Sequence, residues 1–156
     1  PVMVATSGSA LMVEGAGKAL VEELFPLGTV LTPNIPEAEA LSQTKIRNRQ
    51  DMEEAARIIS SFTGGAVLVK GGHLSESADD LLYEQGKSIW LPGERVDNSN
   101  THGTGCTLSS AIACGLAGGK SLEDSVKGAK AYITGALKAG LDLGKGSGPL
   151  NHMYAL

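Results

Sequence analysis

Asn100-Thr101-His102-Gly103-Thr104-Gly105-Cys106-Thr107 is the stretch on which the reading of this chain turns, and Leu108-Ser109-Ser110-Ala111-Ile112-Ala113-Cys114-Gly115-Leu116 follows it. Two glycines let the backbone turn sharply, and the small residues from Thr107 to Leu116 read as the helix that the turn opens. The first amides of such a helix have no intrahelical partner, and the helix dipole adds partial positive charge, so the place suits an anion such as phosphate. Cys106 falls at the start of that helix, where thiolate character is expected. Cys114, two turns later, reads as a small core residue.

Working outward, Ala66-Val67-Leu68-Val69 is a continuous apolar run bounded by glycine, the pattern of a strand buried on both faces. Lys70-Gly71-Gly72-His73 follows it. A lysine at the carboxyl end of a buried strand can reach an ATP phosphate as a point charge, although a lysine there is ordinarily a solvated terminus. His73 has no spaced partner for a metal and reads as a loop residue. Further upstream, Thr29-Val30-Leu31 is a short strand ended by Thr32-Pro33-Asn34, and Pro36 leads a helix through Glu37 to Leu41. Asn34 and Glu37 could both face one hydrated Mg²⁺, which keeps most of its waters and needs few protein oxygens. The plainer alternative is an ordinary helix start with acidic residues near its positive end.

The remaining elements follow from periodicity. A helix is expected from Leu11 to Leu24, stopped by Pro26. An amphipathic helix is expected from Asp51 to Phe62, with Met52, Ala55, Ala56, Ile59 and Phe62 on one face. Leu81-Leu82-Tyr83 and Ser88-Ile89-Trp90-Leu91 read as a hairpin. The last helix opens at Ser121, with Asp124 completing a weak capping box, and Leu122, Val126, Ala129, Ile133, Leu137 and Leu141 carry its apolar face. Strands alternating with helices imply one layered α/β domain with a mainly parallel sheet, whose ligands bind beyond the carboxyl ends of the strands.

Composition narrows the function. The 156 residues fit one domain, and 13 Lys and Arg against 17 Asp and Glu leave a net charge of −4, the wrong balance for a nonspecific nucleic-acid binder. No apolar run approaches the roughly 18 residues of a membrane span. Two cysteines make no disulfide framework, so the expected setting is the cytoplasm. Glycine, at 21 of 156 residues, is high enough to suggest many tight turns and close backbone approaches.

Taken together, Pro1-Val2-Met3-Val4 with Ser7-Gly8, Leu31-Thr32-Pro33-Asn34 with Glu37-Ala38-Glu39, Val69 to His73, Asn100 to Thr107, and Gly148-Pro149-Leu150-Asn151-His152 resemble one family. The chain is similar, over essentially its whole length, to the ribokinase-like hydroxymethylpyrimidine/phosphomethylpyrimidine kinases of thiamine biosynthesis. The resemblance implies a three-layer α/β/α fold and an ATP- and Mg²⁺-dependent kinase of a small pyrimidine alcohol and of its monophosphate. It implies that Gly103, Thr104, Gly105 and Cys106 form an anion hole around the transferring phosphoryl group, with Cys106 where most ribokinase-like enzymes have an aspartate base. It also places Lys70 and Thr101 beside the nucleotide, and Asn34 and Glu37 around hydrated Mg²⁺.

The family pattern has an aspartate before Pro-Val-Met and a substantial N-terminal portion before that. This sequence opens at Pro1, inside a strand, so the N-terminal part is expected to be missing from it. A sheet cut there would expose an apolar parallel edge, and a partner, a homo-oligomer or low solubility is then expected. A pyridoxal kinase is the nearest rival, since some resemble this family and share Gly-Thr-Gly-Cys. A nonenzymatic nucleotide-binding module and acyl transfer through Cys106 are the rivals from other classes.

Overall fold

Without polar alternation, the four residues Ala66–Val69 can form a strand only where both faces are covered, and all four are buried. In the computed structural model, which describes residues 1, 3, 15–72, 78–98, 101–141, 143 and 148–155, they are the second strand of a four-stranded sheet. Its strands are β1 (Val30–Leu31), β2 (Ala66–Val69), β3 (Asp80–Glu84) and β4 (Lys87–Leu91), adjacent in that order. β1 pairs parallel with β2, with Val30 opposite Ala66 and Leu31 opposite Val67. The parallel alignment continues past the strand ends as an isolated bridge between Asn34 and Lys70.

β2 then pairs antiparallel with β3, Leu68 opposite Leu82, and β3 forms a hairpin with β4. Gln85 and Gly86 both have positive φ, 49° and 78°, the backbone of a tight two-residue hairpin turn. Such a turn can join only antiparallel neighbours. Among the described residues the sheet is therefore mixed, with its parallel character carried by β1 and β2.

Contacts gather into two compact units, Pro1–Gly93 and Glu94–Leu156. In the first, α1 (Ala16–Ala19) runs on into one wide turn over Leu20–Leu24 and a tight turn over Phe25–Leu27, which contains Pro26. The rest of the expected first helix, with Val2, Ser7 and Gly8, lies outside the described residues. α2 (Ile35–Ser42) starts one residue before the expected Pro36, because Asn34 is its cap. α3 (Arg49–Ser60) begins two residues before the expected Asp51, because Asn48 caps it by accepting a hydrogen bond from the Asp51 amide at 2.9 Å. Its apolar stripe, Met52, Ala55, Ala56 and Ile59, is fully buried with Val67, Val69 and Leu81.

The second unit is built on α4 (Thr104–Ala117) and α5 (Leu122–Ala139). Ser121 caps α5 through the Asp124 amide at 3.1 Å. The helix ends at Gly140, so Leu141 lies beyond it, while Val126 and Ala129 are buried as expected. Met52, with no exposed surface, and the Asn48 cap make different demands on one helix. In the full-length protein, Met52→Ala is expected to cost about 2–5 kcal/mol and Asn48→Ala about 1 kcal/mol, read as shifts of the urea midpoint. Equal shifts would contradict the assignment of the core to the buried face of α3.

Candidate active site

Three of the expected site residues meet at the corner where β1 and β2 end. The Lys70 amide donates to the Pro33 carbonyl at 2.9 Å, and its ammonium donates to the Thr32 carbonyl. Asn34 caps α2: its Oδ1 accepts from the Glu37 amide at 2.9 Å, and Glu37 Oε2 accepts from the Asn34 amide at 2.9 Å. This is a reciprocal capping box, and it satisfies two amides that the helix leaves without partners. The other carboxylate oxygen, Oε1, accepts from the Met3 amide at 3.3 Å. Glu37 is only 4% exposed, so its charge is held inside the protein by main-chain donors. Asn34 and Glu37 present hard oxygen donors, and oxygens already holding amides retain lone pairs for water. The pair fits a Mg²⁺ ion held through its hydration shell.

In the second unit, Thr101, Gly103, Thr104, Gly105 and Cys106 are brought together at the start of α4. Only Gly103 makes the turn, with φ 81°, a left-handed conformation that suits glycine. Gly105 is already helical, so α4 begins three residues before the expected Thr107. The Thr104 amide and hydroxyl both donate to the Thr101 carbonyl, at 3.3 and 3.0 Å, and the Thr107 amide donates to the Gly103 carbonyl at 2.9 Å. Among the described residues no side chain caps the helix. The amides of Gly105 and Cys106 have no hydrogen-bond partner among the described residues, and both residues are exposed. Asn100 and His73 lie outside the described residues.

A groove of about 720 Å³ runs from Cys106 along α4 and α5. Thr107, Ser110 and Cys114 line it from α4, Asp124 and Tyr132 from α5, and His152 from the C-terminal segment. The Tyr132 hydroxyl donates to the His152 carbonyl at 2.8 Å, which ties that segment to the helix. Cys114 is exposed, against the expectation of a core residue. The buried face of α4 carries Leu108 and Ile112, and Cys114, two positions beyond Ile112, points about 200° away from it. Gly115 sets the spacing of the helices, since a Cβ there would lie 2.7 Å from Ser125 Oγ. The value of Tyr132 is hidden in the sequence by its place within an otherwise apolar helix face.

The phosphomethylpyrimidine kinase family profile matches residues 1–151. The chain belongs to the phosphomethylpyrimidine kinase family. It is 44% identical over 156 residues to the hydroxymethylpyrimidine/phosphomethylpyrimidine kinase of Streptomyces coelicolor, covering all of this chain and 58% of that protein. The phosphomethylpyrimidine kinase of Clostridium difficile superimposes with a TM-score of 0.73 at 39% identity, over 86% of this chain and 54% of that one. The ADP complex of Bacillus subtilis pyridoxal kinase superimposes with a TM-score of 0.84 at 38% identity, over 91% and 56%. The fold is thus the α/β fold of the ribokinase-like kinases. The chain spans between about half and three fifths of the length of these proteins. No helix among the described residues is long and apolar enough to cross a membrane.

The corner that Glu37 closes can be tested by stability. Glu37→Gln keeps one acceptor for the Asn34 amide but turns an NH₂ donor toward the Met3 amide. A loss of about 1–3 kcal/mol is expected, read as a lowered melting temperature of the full-length protein. An unchanged melting temperature would show that the second carboxylate oxygen holds nothing.

Proposed function

We propose that the full-length protein phosphorylates 4-amino-5-hydroxymethyl-2-methylpyrimidine, and then its monophosphate, with ATP as donor, in thiamine biosynthesis. The observation that carries this reading is the start of α4, where two amides with no partner among the described residues and an exposed thiol stand together behind the Gly103 turn. Phosphoryl transfer asks a protein mainly for positioning and for charge stabilisation on the moving group. The Gly105 and Cys106 amides, with the helix dipole behind them, are suited to the equatorial oxygens of that group. The substrate hydroxyl oxygen bonds to the γ-phosphorus, the bond from that phosphorus to the bridging oxygen breaks, and ADP leaves. Cys106 is assigned as the base that takes the hydroxyl proton.

The groove that leads from Cys106 between α4 and α5 is assigned to the nucleotide, with Thr101 beside it. Lys70 is assigned to the ATP phosphates, exchanging the Thr32 carbonyl for a phosphate oxygen. Asn34 and Glu37 would hold Mg²⁺ through water, and a bound Mg²⁺ neutralises phosphate charge. Two exposed free cysteines suit a reducing compartment, which supports a cytoplasmic setting. A homo-oligomer belongs to the same proposal.

A second reading, phosphorylation of pyridoxal, is supported by the close superposition on the pyridoxal kinase of Bacillus subtilis. One assay separates the two: initial rates with ATP and each alcohol, the products followed by mass. The pyrimidine alcohol is expected to have the higher kcat/KM, and a pyridoxal preference would overturn the leading reading. Cys106→Ser is expected to lower kcat by about 10²-fold or more with the KM for ATP little changed. Nearly full turnover would remove the thiol from proton transfer and leave it as part of the anion hole.

A further inference from the structure

Asp79 and Asp80, just before and at the start of β3, lie against the exit of β2 at Gly71, and the phosphoryl-transfer chemistry uses neither. Asp80 is the first residue of β3 and is 7% exposed. Its Oδ1 accepts a hydrogen bond from the Gly71 amide at 2.8 Å, within the protein interior. A carboxylate is buried only where donors compensate its lost hydration, and its hydrogen bonds are correspondingly strong.

Gly71 directly follows Lys70. A Cβ added at Gly71 would run into the Asp79 carbonyl oxygen, so the chain leaving β2 lies flush against the 79–80 backbone. On the other side of the lysine, its own amide is held by the Pro33 carbonyl at 2.9 Å. The backbone is therefore anchored on both sides of the Lys70 Cα. A lysine stem is flexible, so the direction in which its ammonium can be offered is best set at the backbone.

Asp79 secures the acidic pair itself. Its Oδ1 accepts from the Gly93 amide at 3.1 Å, and its Oδ2 takes the Arg49 guanidinium. That guanidinium lies 4.6 Å from the centre of the Trp90 ring, and the Trp90 indole donates to Glu53 at 2.9 Å. The pair is thereby tied to α3 and to β4.

We propose that Asp80 is a positioning residue for phosphoryl transfer, acting through the Gly71 amide to aim Lys70 at the ATP phosphates. The proposal rests on the assignment of Lys70 to those phosphates. Asp80 touches no reacting atom; it fixes the exit of β2, and Lys70 makes the contact. Small misplacements of such a group are costly in rate.

The test is a double-mutant cycle in the full-length protein, using Asp80→Ala, Lys70→Ala and both together. The readouts are kcat, KM for ATP, KM for the pyrimidine alcohol, and the dissociation constant of AMP-PCP. Asp80→Ala, which removes the acceptor of the Gly71 amide, is expected to raise KM for ATP and the AMP-PCP dissociation constant about tenfold, with KM for the alcohol unchanged. In the Lys70→Ala background it is expected to add nothing further. Effects of the two changes that multiply, or a KM for ATP and an AMP-PCP dissociation constant that stay at their wild-type values, would overturn the proposal and leave Asp80 a stabilising residue only. If Asp80→Ala does not fold, Asp80→Ser, whose shorter side chain draws the acceptor back from the Gly71 amide, replaces it in the cycle, with the same expected and overturning results. Wild-type ATP binding and turnover by Lys70→Ala would instead overturn the assignment of Lys70, on which the proposal depends.

Discussion

The bond from the Lys70 amide to the Pro33 carbonyl carries the parallel pairing of β1 and β2 beyond the ends of both strands. The polar corner of the first unit depends on it. Parallel neighbours run in the same direction, so their carboxyl ends arrive on the same side, and the loops that leave them must share one space. Asn34 and Lys70 are there because the strands before them are in register. Had β1 been shifted by a single residue, its side chains would have exchanged faces and the helix cap at Asn34 would have left the corner.

That corner shows how one side chain can serve local structure and a candidate ligand at once. Glu37 satisfies the Asn34 and Met3 amides, and this is sufficient reason for a glutamate at the third position of α2. Under the proposed function the same carboxylate would also hold a hydrated cation. The two functions do not compete, because a carboxylate oxygen that accepts one amide can still accept a water. Structural duty also immobilises the group, and an immobile carboxylate loses little entropy on engaging a ligand.

Much of this is legible in the sequence, for physical reasons that can be named. β2 declares itself because four consecutive apolar residues have no alternative in a small α/β protein. α3 does so because its stripe has a clear 3.6-residue period, and the hairpin because Gln85-Gly86 divides two apolar runs. Other features are hidden. Gly105 looks like part of the turn, yet glycine can also take the helical backbone, at some entropic cost, and of the two only Gly103 takes the left-handed one. Cys114 misleads because a helix of small residues has almost no amphipathic contrast, so its faces cannot be told apart until its neighbour is placed. Asp80 escapes notice because a charged residue before Leu81-Leu82-Tyr83 looks like an ordinary strand boundary. Its partner is a main-chain amide nine positions earlier, which no side-chain pattern announces.

The approach of α4 to α5 at Gly115 has a consequence for how this protein can change. The groove is bounded by the same two helices whose separation that glycine sets, so its width is no independent variable. A bulkier residue at position 115 would act as a wedge, and any wider molecule it admitted would come with poorer packing around Leu108 and Ile112. If the groove holds the assigned ligand, selection for a different one is therefore steered toward the lining side chains Ser110, Tyr132 and His152, whose chemistry can be altered without prising the scaffold open.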